Sequence, residues 1–354
     1  MTPGPVLRLG LVGFGQLGRN YYVPALRALD GVSVAAVVDP LDASREAAQA
    51  MFPGAAVMAG PDALFSRQLD GWIVASPPST HLALWNMAAQ AGVPVLLEKP
   101  FALRGQLAQA ASGSRVRPLL MLDLNRRFWP PYRRIRDRTV AGLLGELRSV
   151  EIRLHVDIAP WCKVTSHRLL AGEGGVLYDL GSQAIDLARW LTGQEPQHVS
   201  ASSQTRRWSD DHVLIELGFE RGLQARCDLA YSERAFERVV VEGQCGTLCI
   251  RDPNMAIHSS GLQAGHPGHR LTSAVRDLAT LCYRGLRRSH SMMRFSVAAA
   301  LAAFVDSIRR GAPFSPGFED AAADTAWLDA AARSMELGVP VARDGRSLAS
   351  REYV

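Results

Sequence analysis

The chain predicts an α/β fold in two parts, on three observations. Strands and helices alternate over residues 6–97, a glycine-rich turn joins the first strand to the first helix, and longer strands separated by glycine turns follow residue 123. Alternation of the first kind builds a doubly wound parallel sheet, and strands joined through tight glycine turns pair antiparallel. The length of 354 residues exceeds what one hydrophobic core usually supports, and the division is placed at 1–122 and 123–354.

The first strand is expected over 6–12, Val-Leu-Arg-Leu-Gly-Leu-Val, running into Gly13-Phe14-Gly15-Gln16-Leu17-Gly18 and a helix over 19–29. In such a turn Gly13 makes the tight bend, Gly15 lets backbone approach a pyrophosphate, and Gly18 lets helix pack on strand. The helix N-terminus then faces the anion. A second strand over 32–38 ends in Asp39, where the acid that reads an adenosine ribose belongs. That carboxylate repels a 2′-phosphate, so NAD is favoured, with NADP kept open by Arg45 nearby.

A helix over 43–51, a strand over 71–75, a helix over 81–90 and a strand over 93–97 complete the alternation. Ligands of doubly wound sheets bind beyond the carboxyl ends of the strands. Two segments fall at those ends: Ser76-Pro77-Pro78-Ser79-Thr80-His81 and Glu98-Lys99-Pro100. The prolines stiffen the loops that carry them.

Beyond residue 123, strands are expected over 149–156, 198–203, 213–219, 223–229, 237–243 and 247–250, with turns at Gly222 and Gly246. The segment 174–191 opens with glycines and then places Asp179, Gln183 and Asp186 on neighbouring turns of one helical face. Helices over 296–309 and 320–337 read as packing elements.

Composition narrows the class. Apolar residues make up 47% and charged residues 21%, as in a globular chain. There is no basic patch leading into an apolar signal core, and the longest greasy stretch, 297–305, falls far short of the ~20 residues that cross a bilayer. A cytoplasmic protein without a membrane partner is therefore expected. The net charge of +5 comes without helix-turn-helix or zinc spacing, which argues against nucleic acid, and the arginines of 270–294 read as a solvated face. Five scattered cysteines read as reduced thiols, with no metal site. Of 39 cationic side chains only Lys99 and Lys163 are lysines. Arginine holds its proton at any relevant pH, whereas an amine can be tuned to exchange one, so a lysine retained in this chain can do what arginine cannot.

Taken together, five segments resemble, in order, the motifs of the Gfo/Idh/MocA oxidoreductases. They are the glycine turn with Asp39, Ser76-Pro77-Pro78 through His81, Glu98-Lys99-Pro100, Asn125-Arg126-Arg127-Phe128, and Gly174-Gly175-Val176-Leu177-Tyr178-Asp179-Leu180-Gly181. The resemblance implies an N-terminal Rossmann domain that binds NAD, with NADP possible. It also implies a C-terminal α+β domain with a large, mostly antiparallel open sheet, whose exposed face serves a homodimer or homotetramer. The implied activity is hydride transfer between the nicotinamide and a secondary alcohol or ketone carbon of a small sugar-like substrate: a sugar, cyclitol or sugar nucleotide.

By the same resemblance, residues 13–18, Asp39, Ser76, Pro77, Pro78, His81, Glu98, Lys99 and Asn125 serve the cofactor. Lys99, Arg127, Lys163, Asp179 and Gln183 meet the substrate, and Lys99, Asp179 and Gln183 form the catalytic group. Many relatives hold a histidine where this chain has Gln183, and glutamine cannot titrate. Proton exchange then falls to Lys99 alone, to Lys99 assisted by Asp179, or to a substitute group nearby such as Tyr178 or His167, while Gln183 holds the substrate. The same departure supports a second reading, a dinucleotide-binding sensor or regulatory protein without turnover. A third reading, NAD-dependent cleavage of a glycosidic bond, shares the site.

Overall fold

The structure is a computed structural model that describes residues 5–106, 119–158, 175–207, 210–232, 235–251, 256–260 and 292–348. Lys163, His167 and Gly174, with residues 270–291 of the basic stretch, lie outside the described residues. The chain divides into two compact units. The first comprises Met1–Asn125, Ala159–Gln183 and Ser296–Asp329, and the second Arg126–Ile158, Ala184–Phe295 and Ala330–Val354.

The first unit is built on six strands: β1 (Leu7–Val12), β2 (Val32–Val38), β3 (Ala56–Met58), β4 (Gly71–Val74), β5 (Val95–Leu97) and β6 (Leu120–Leu122). They lie in the order β3-β2-β1-β4-β5-β6 and every pairing is parallel. The strand order reverses between β1 and β4, the crevice in which doubly wound sheets hold their ligands. Gly71 to Val74 and Val95 to Leu97 are buried without a break. A parallel sheet covered on both faces demands such unbroken burial. Trp85, on the helix His81–Ala91, stacks on Phe318 at 5.5 Å between ring centres and stands edge-on to Phe101 at 5.1 Å. That helix ends on Gly92 at φ 65°, the left-handed cap glycine adopts readily.

The helix after the glycine turn departs from the expected regular span. It opens as a π-helical turn, Gly18–Tyr22, in which the Val23 N–H reaches back to Gly18 O, and continues as Val23–Arg27. Pro24 has no N–H to continue an ordinary ladder, so the hydrogen-bond register widens just before it. The strands β3 and β6, three residues each, are additions to the expected set. Neither is long enough to show a period.

The second unit carries seven strands: β7 (Leu147–Val156), β8 (His198–Gln204), β9 (His212–Gly218), β10 (Gln224–Tyr231), β11 (Phe236–Gly243), β12 (Gly246–Arg251) and β13 (Ala256–Ser260). Their order is β13-β12-β11-β7-β10-β9-β8, with β7 and β10 parallel and all other neighbours antiparallel. Val150, Ile152 and Leu154 of β7 are buried, while Glu151, Arg153 and His155, which alternate with them, are half-buried. One face is therefore core and the other polar, the pattern expected of an antiparallel sheet.

On the polar face Asp228 Oδ1 lies 3.1 Å from His155 Nε2 and 2.8 Å from His212 Nε2, and Arg153 Nε stands 3.8 Å from its other oxygen. The hydrogen bond from His155, then that from His212, hold the Asp228 carboxyl well below the usual carboxylate range, against the opposing effect of partial burial. A group with a depressed folded-state pKa contributes stability above its unfolded value of about 3.9 and loses it as pH falls through the lower folded value. Asp228→Asn is expected to lower the thermal midpoint at neutral pH, and its gap to the parent should close progressively as the pH falls below about 4. A gap that stays constant into strong acid contradicts this.

Among the described residues no helix is long and apolar enough to cross a membrane, and no group of three or more His, Cys, Asp or Glu side chains could hold a metal ion.

Candidate active site

The three turn glycines differ in what surrounds them. Gly13 sits at φ 91°, and a Cβ built there would lie 2.6 Å from Ala75 O and 2.7 Å from Ser76 N, so the bend is pressed against the chain leaving β4. A Cβ on Gly18 would lie 2.7 Å from Gly13 O, which closes the helix onto the turn. A Cβ on Gly15 would meet no atom within 4 Å. That open side at the end of β1 fits a pyrophosphate, the role glycine plays there.

Asp39 braces the turn. Phe14 N–H donates to Asp39 Oδ2 at 2.7 Å and Leu41 N–H to Oδ1 at 2.9 Å, leaving each oxygen acceptor capacity for a ribose hydroxyl. The Phe14 side chain itself is core, edge-on to Phe52, so this residue serves the turn through its backbone. Gln16 has a buried Oε1 without a partner, and Leu17 is partly buried. Arg45 is committed: its Nη1 donates to Asp39 O at 2.9 Å and Pro40 O at 2.7 Å, and it pairs with Asp42.

The two strand-end loops are tied together by His81. Its Nδ1 lies 2.6 Å from Pro100 O and its Nε2 3.0 Å from Ser76 O, and the ring is fully buried. His81 thus acts as a brace between the loops that carry Ser76 and Lys99. Thr80 Oγ1 donates to Pro77 O at 2.7 Å, so its 2.6 Å contact with Ser76 Oγ is a bond donated by Ser76. Pro78 opens the short 3-10 turn Pro78–Thr80 that leads into the helix.

Lys99 Nζ donates to Asp179 O at 2.9 Å and forms an ion pair with Asp179 Oδ1. The two side chains are only 11% and 9% exposed, so the pair is largely withdrawn from water. Asp179 belongs to a π-helical turn, Leu177–Gly181, continued by the helix Ser182–Thr192. Widened turns of this kind recur at functional positions. Ser182 Oγ donates to Asp324 Oδ2 at 2.6 Å, which anchors the segment within the first unit. One helical turn beyond Asp179, Gln183 is buried and its Oε1 has no partner. A buried amide oxygen left unpaired costs about 1–3 kcal/mol, a cost removed by a ligand hydroxyl that donates to it.

Other expected site residues are engaged differently. Glu98 turns into the interior, where Tyr22 Oη lies 2.8 Å from its Oε1. Asn125 is buried just after β6. Arg127, in the second unit, donates from Nε to Asp186 Oδ2 at 2.9 Å and from Nη2 to Asp186 Oδ1 at 2.5 Å, with its guanidinium 5.9 Å from the Trp190 ring centre. Asp186 is thereby held by Arg127. Sequence reasoning passed over Tyr22 and Asp123, which contact Glu98 and each other; an acid directly after a buried strand was the available signal.

The family described as "Oxidoreductase family, NAD-binding Rossmann fold" matches residues 7–114, and "GFO/IDH/MocA C-terminal domain" matches 132–249. Among curated relatives, inositol 2-dehydrogenase of Leifsonia xyli subsp. xyli is 37% identical over 269 residues, covering 72% of this chain and 75% of that protein. The rhizopine catabolism protein MocA of Rhizobium meliloti is 36% identical over 225 residues, 63% of this chain and 68% of that protein. Among solved structures, the WlbA dehydrogenase of Bordetella pertussis, in complex with NADH and UDP-GlcNAcA, superposes with a TM-score of 0.80 at 19% identity, covering 97% of this chain and 99% of that one. A myo-inositol dehydrogenase of Corynebacterium glutamicum gives 0.74 at 24% identity, covering 95% and 98%. At those identities the structures speak for the fold alone. The glycine turn, the Lys99 strand end and the two sheets agree with the sequence matches: the chain belongs to the Gfo/Idh/MocA oxidoreductases, enzymes with an NAD-binding Rossmann domain.

Proposed function

We propose that the protein is a dehydrogenase acting on a secondary alcohol of a polyhydroxylated ring, a cyclitol in the first instance and otherwise a sugar or sugar nucleotide, with NAD as the hydride carrier. The observation that carries the reading is the withdrawn Lys99–Asp179 pair, in the unit that also holds the glycine turn, followed one helical turn later by the unpaired Gln183 oxygen. Relatives named inositol 2-dehydrogenase and D-apiose dehydrogenase support the substrate class.

Residues 13–18 and Asp39 would hold the dinucleotide, and the nicotinamide, when bound, accepts or supplies the hydride. The protein's part is the proton. In oxidation Lys99 Nζ, in its neutral amine form, takes the hydroxyl proton as the alcohol becomes a ketone, and in reduction the ammonium form returns it; Asp179 fixes the direction of the nitrogen through both its carboxylate and its carbonyl. Gln183 accepts a hydrogen bond from a neighbouring hydroxyl and orients the ring, and Lys163 is assigned to the substrate's outer contacts. NAD is preferred over NADP because Asp39 faces the ribose position and Arg45 is spent on main-chain carbonyls.

We also take the protein to work in the cytoplasm as a homodimer or homotetramer assembled on the polar face of the seven-stranded sheet. Light scattering on the purified chain tests the assembly. The activity is tested by following reduced cofactor with myo-inositol, scyllo-inositol, D-apiose and UDP-sugars, each with NAD and NADP. Turnover of a ring alcohol with NAD supports the reading, and none with any of them despite tight NAD binding removes it.

A further inference from the structure

Behind Lys99 lies a buried group of three acids drawn from three separate segments. Tyr22 ends the π-helical turn after the glycine loop, Glu98 follows β5, and Asp123 follows β6. All three are buried, Tyr22 and Asp123 completely. Tyr22 Oη lies 2.8 Å from Glu98 Oε1 and 2.6 Å from Asp123 Oδ2. A phenol has one hydrogen and can donate it to only one of these oxygens. The other oxygen approaches as closely only if it carries a hydrogen itself and donates to the phenol. Donor counting therefore requires a proton on one of the two carboxyls, and Asp123, whose Oδ1 is buried with no partner, is the better place for it.

The cluster reaches Lys99 through the main chain, because Glu98, whose side chain is tied into the cluster, immediately precedes Lys99. We propose that Tyr22, Glu98 and Asp123 are positioning residues for Lys99: they share one excess proton at neutral pH and, through Glu98, clamp the Lys99 backbone so that its amine meets Asp179. Burial pushes the Asp123 carboxyl well up, helped by the charge of Glu98, and burial also pushes Glu98 up against the opposing charge of Lys99. Burial and both carboxylates push the Tyr22 phenol up as well, so it keeps its hydrogen. Among the described residues, the charged groups facing the cluster are Lys99 and, beyond it, Asp179.

The inference rests on Lys99 being the reacting amine, yet its test needs no substrate. Infrared difference spectra of the purified protein at neutral pH, parent minus Asp123→Asn, should show the carbonyl stretch of an un-ionised carboxylic acid; a spectrum without that band overturns the shared proton. Acylation of the protein by N-hydroxysuccinimidyl acetate, followed by peptide mass analysis, then compares Lys99 with Lys163, the chain's other lysine. Asp123→Ala should speed Lys99 labelling several-fold at unchanged Lys163 labelling, and Asp123→Asn, which keeps a donor for the cluster, should restore the parent rate. Should Asp123→Ala fail to fold, Tyr22→Phe takes its place with the same expected direction. Equal Lys99 rates in the parent and these variants overturn the positioning role, whatever the panel of ring alcohols has shown.

Discussion

Lys99→Met is expected to slow turnover by about 10²- to 10⁴-fold, the usual worth of a positioned proton-exchanging group, while NAD still binds. The same change should cost stability. Removing the ammonium leaves the Asp179 carboxylate, 9% exposed, without its counter-charge, and an uncompensated buried partner costs about 3–5 kcal/mol, less here because the site keeps some contact with water. Loss of activity alone would therefore not separate chemistry from damage. Lys99→Arg does separate them. Arginine keeps the charge and can pair with Asp179, so most of the stability returns, but it does not release its proton at working pH. A stable Lys99→Arg enzyme that remains slow supports proton exchange at Lys99. One that turns over at the parent rate shows that only the charge matters, and the assignment of Lys99 fails.

What the sequence disclosed and what it hid divide along physical lines. The strands of the first sheet were legible because both faces are buried, which writes unbroken apolar runs such as Gly71 to Val74. The second sheet, β13 apart, was legible because one buried face writes alternation, as in Val150, Ile152 and Leu154. The strands β3 and β6 are three residues long and carry neither signal. Gly13, Gly15 and Gly18 were legible because their roles are steric and local. The partner of Lys99 was legible only through the family's motif order, since Asp179 is 80 residues away along the chain. Tyr22 and Asp123 were hidden for a different reason. Each reads as an ordinary residue, a tyrosine in a helix and an acid after a short strand; only the fold brings them onto Glu98.

The glycine turn supplies the second large effect, and it too calls for a pair of variants. At Gly13 an alanine meets two penalties. The φ of 91° disfavours a Cβ by about 1–2 kcal/mol, and the Cβ would stand 2.6 Å from a main-chain oxygen that can move only with β4, adding about 1–3 kcal/mol. Gly13→Ala should therefore lose several kcal/mol in urea unfolding and bind NAD weakly because the turn is displaced. At Gly15 neither penalty applies: no protein atom lies within 4 Å of an added Cβ, so Gly15→Ala should unfold within about 1 kcal/mol of the parent. The methyl would instead project into the space left for the pyrophosphate, where backbone must approach closely. NAD affinity should then fall at least about tenfold, or 1.4 kcal/mol, in calorimetric titration. The two variants thus lose the cofactor by different routes, one through the fold and one through the cradle. A Gly15→Ala protein that binds NAD as tightly as the parent would mean that the open side of the turn does not face the dinucleotide, and the reading of residues 13–18 as its cradle would have to be given up.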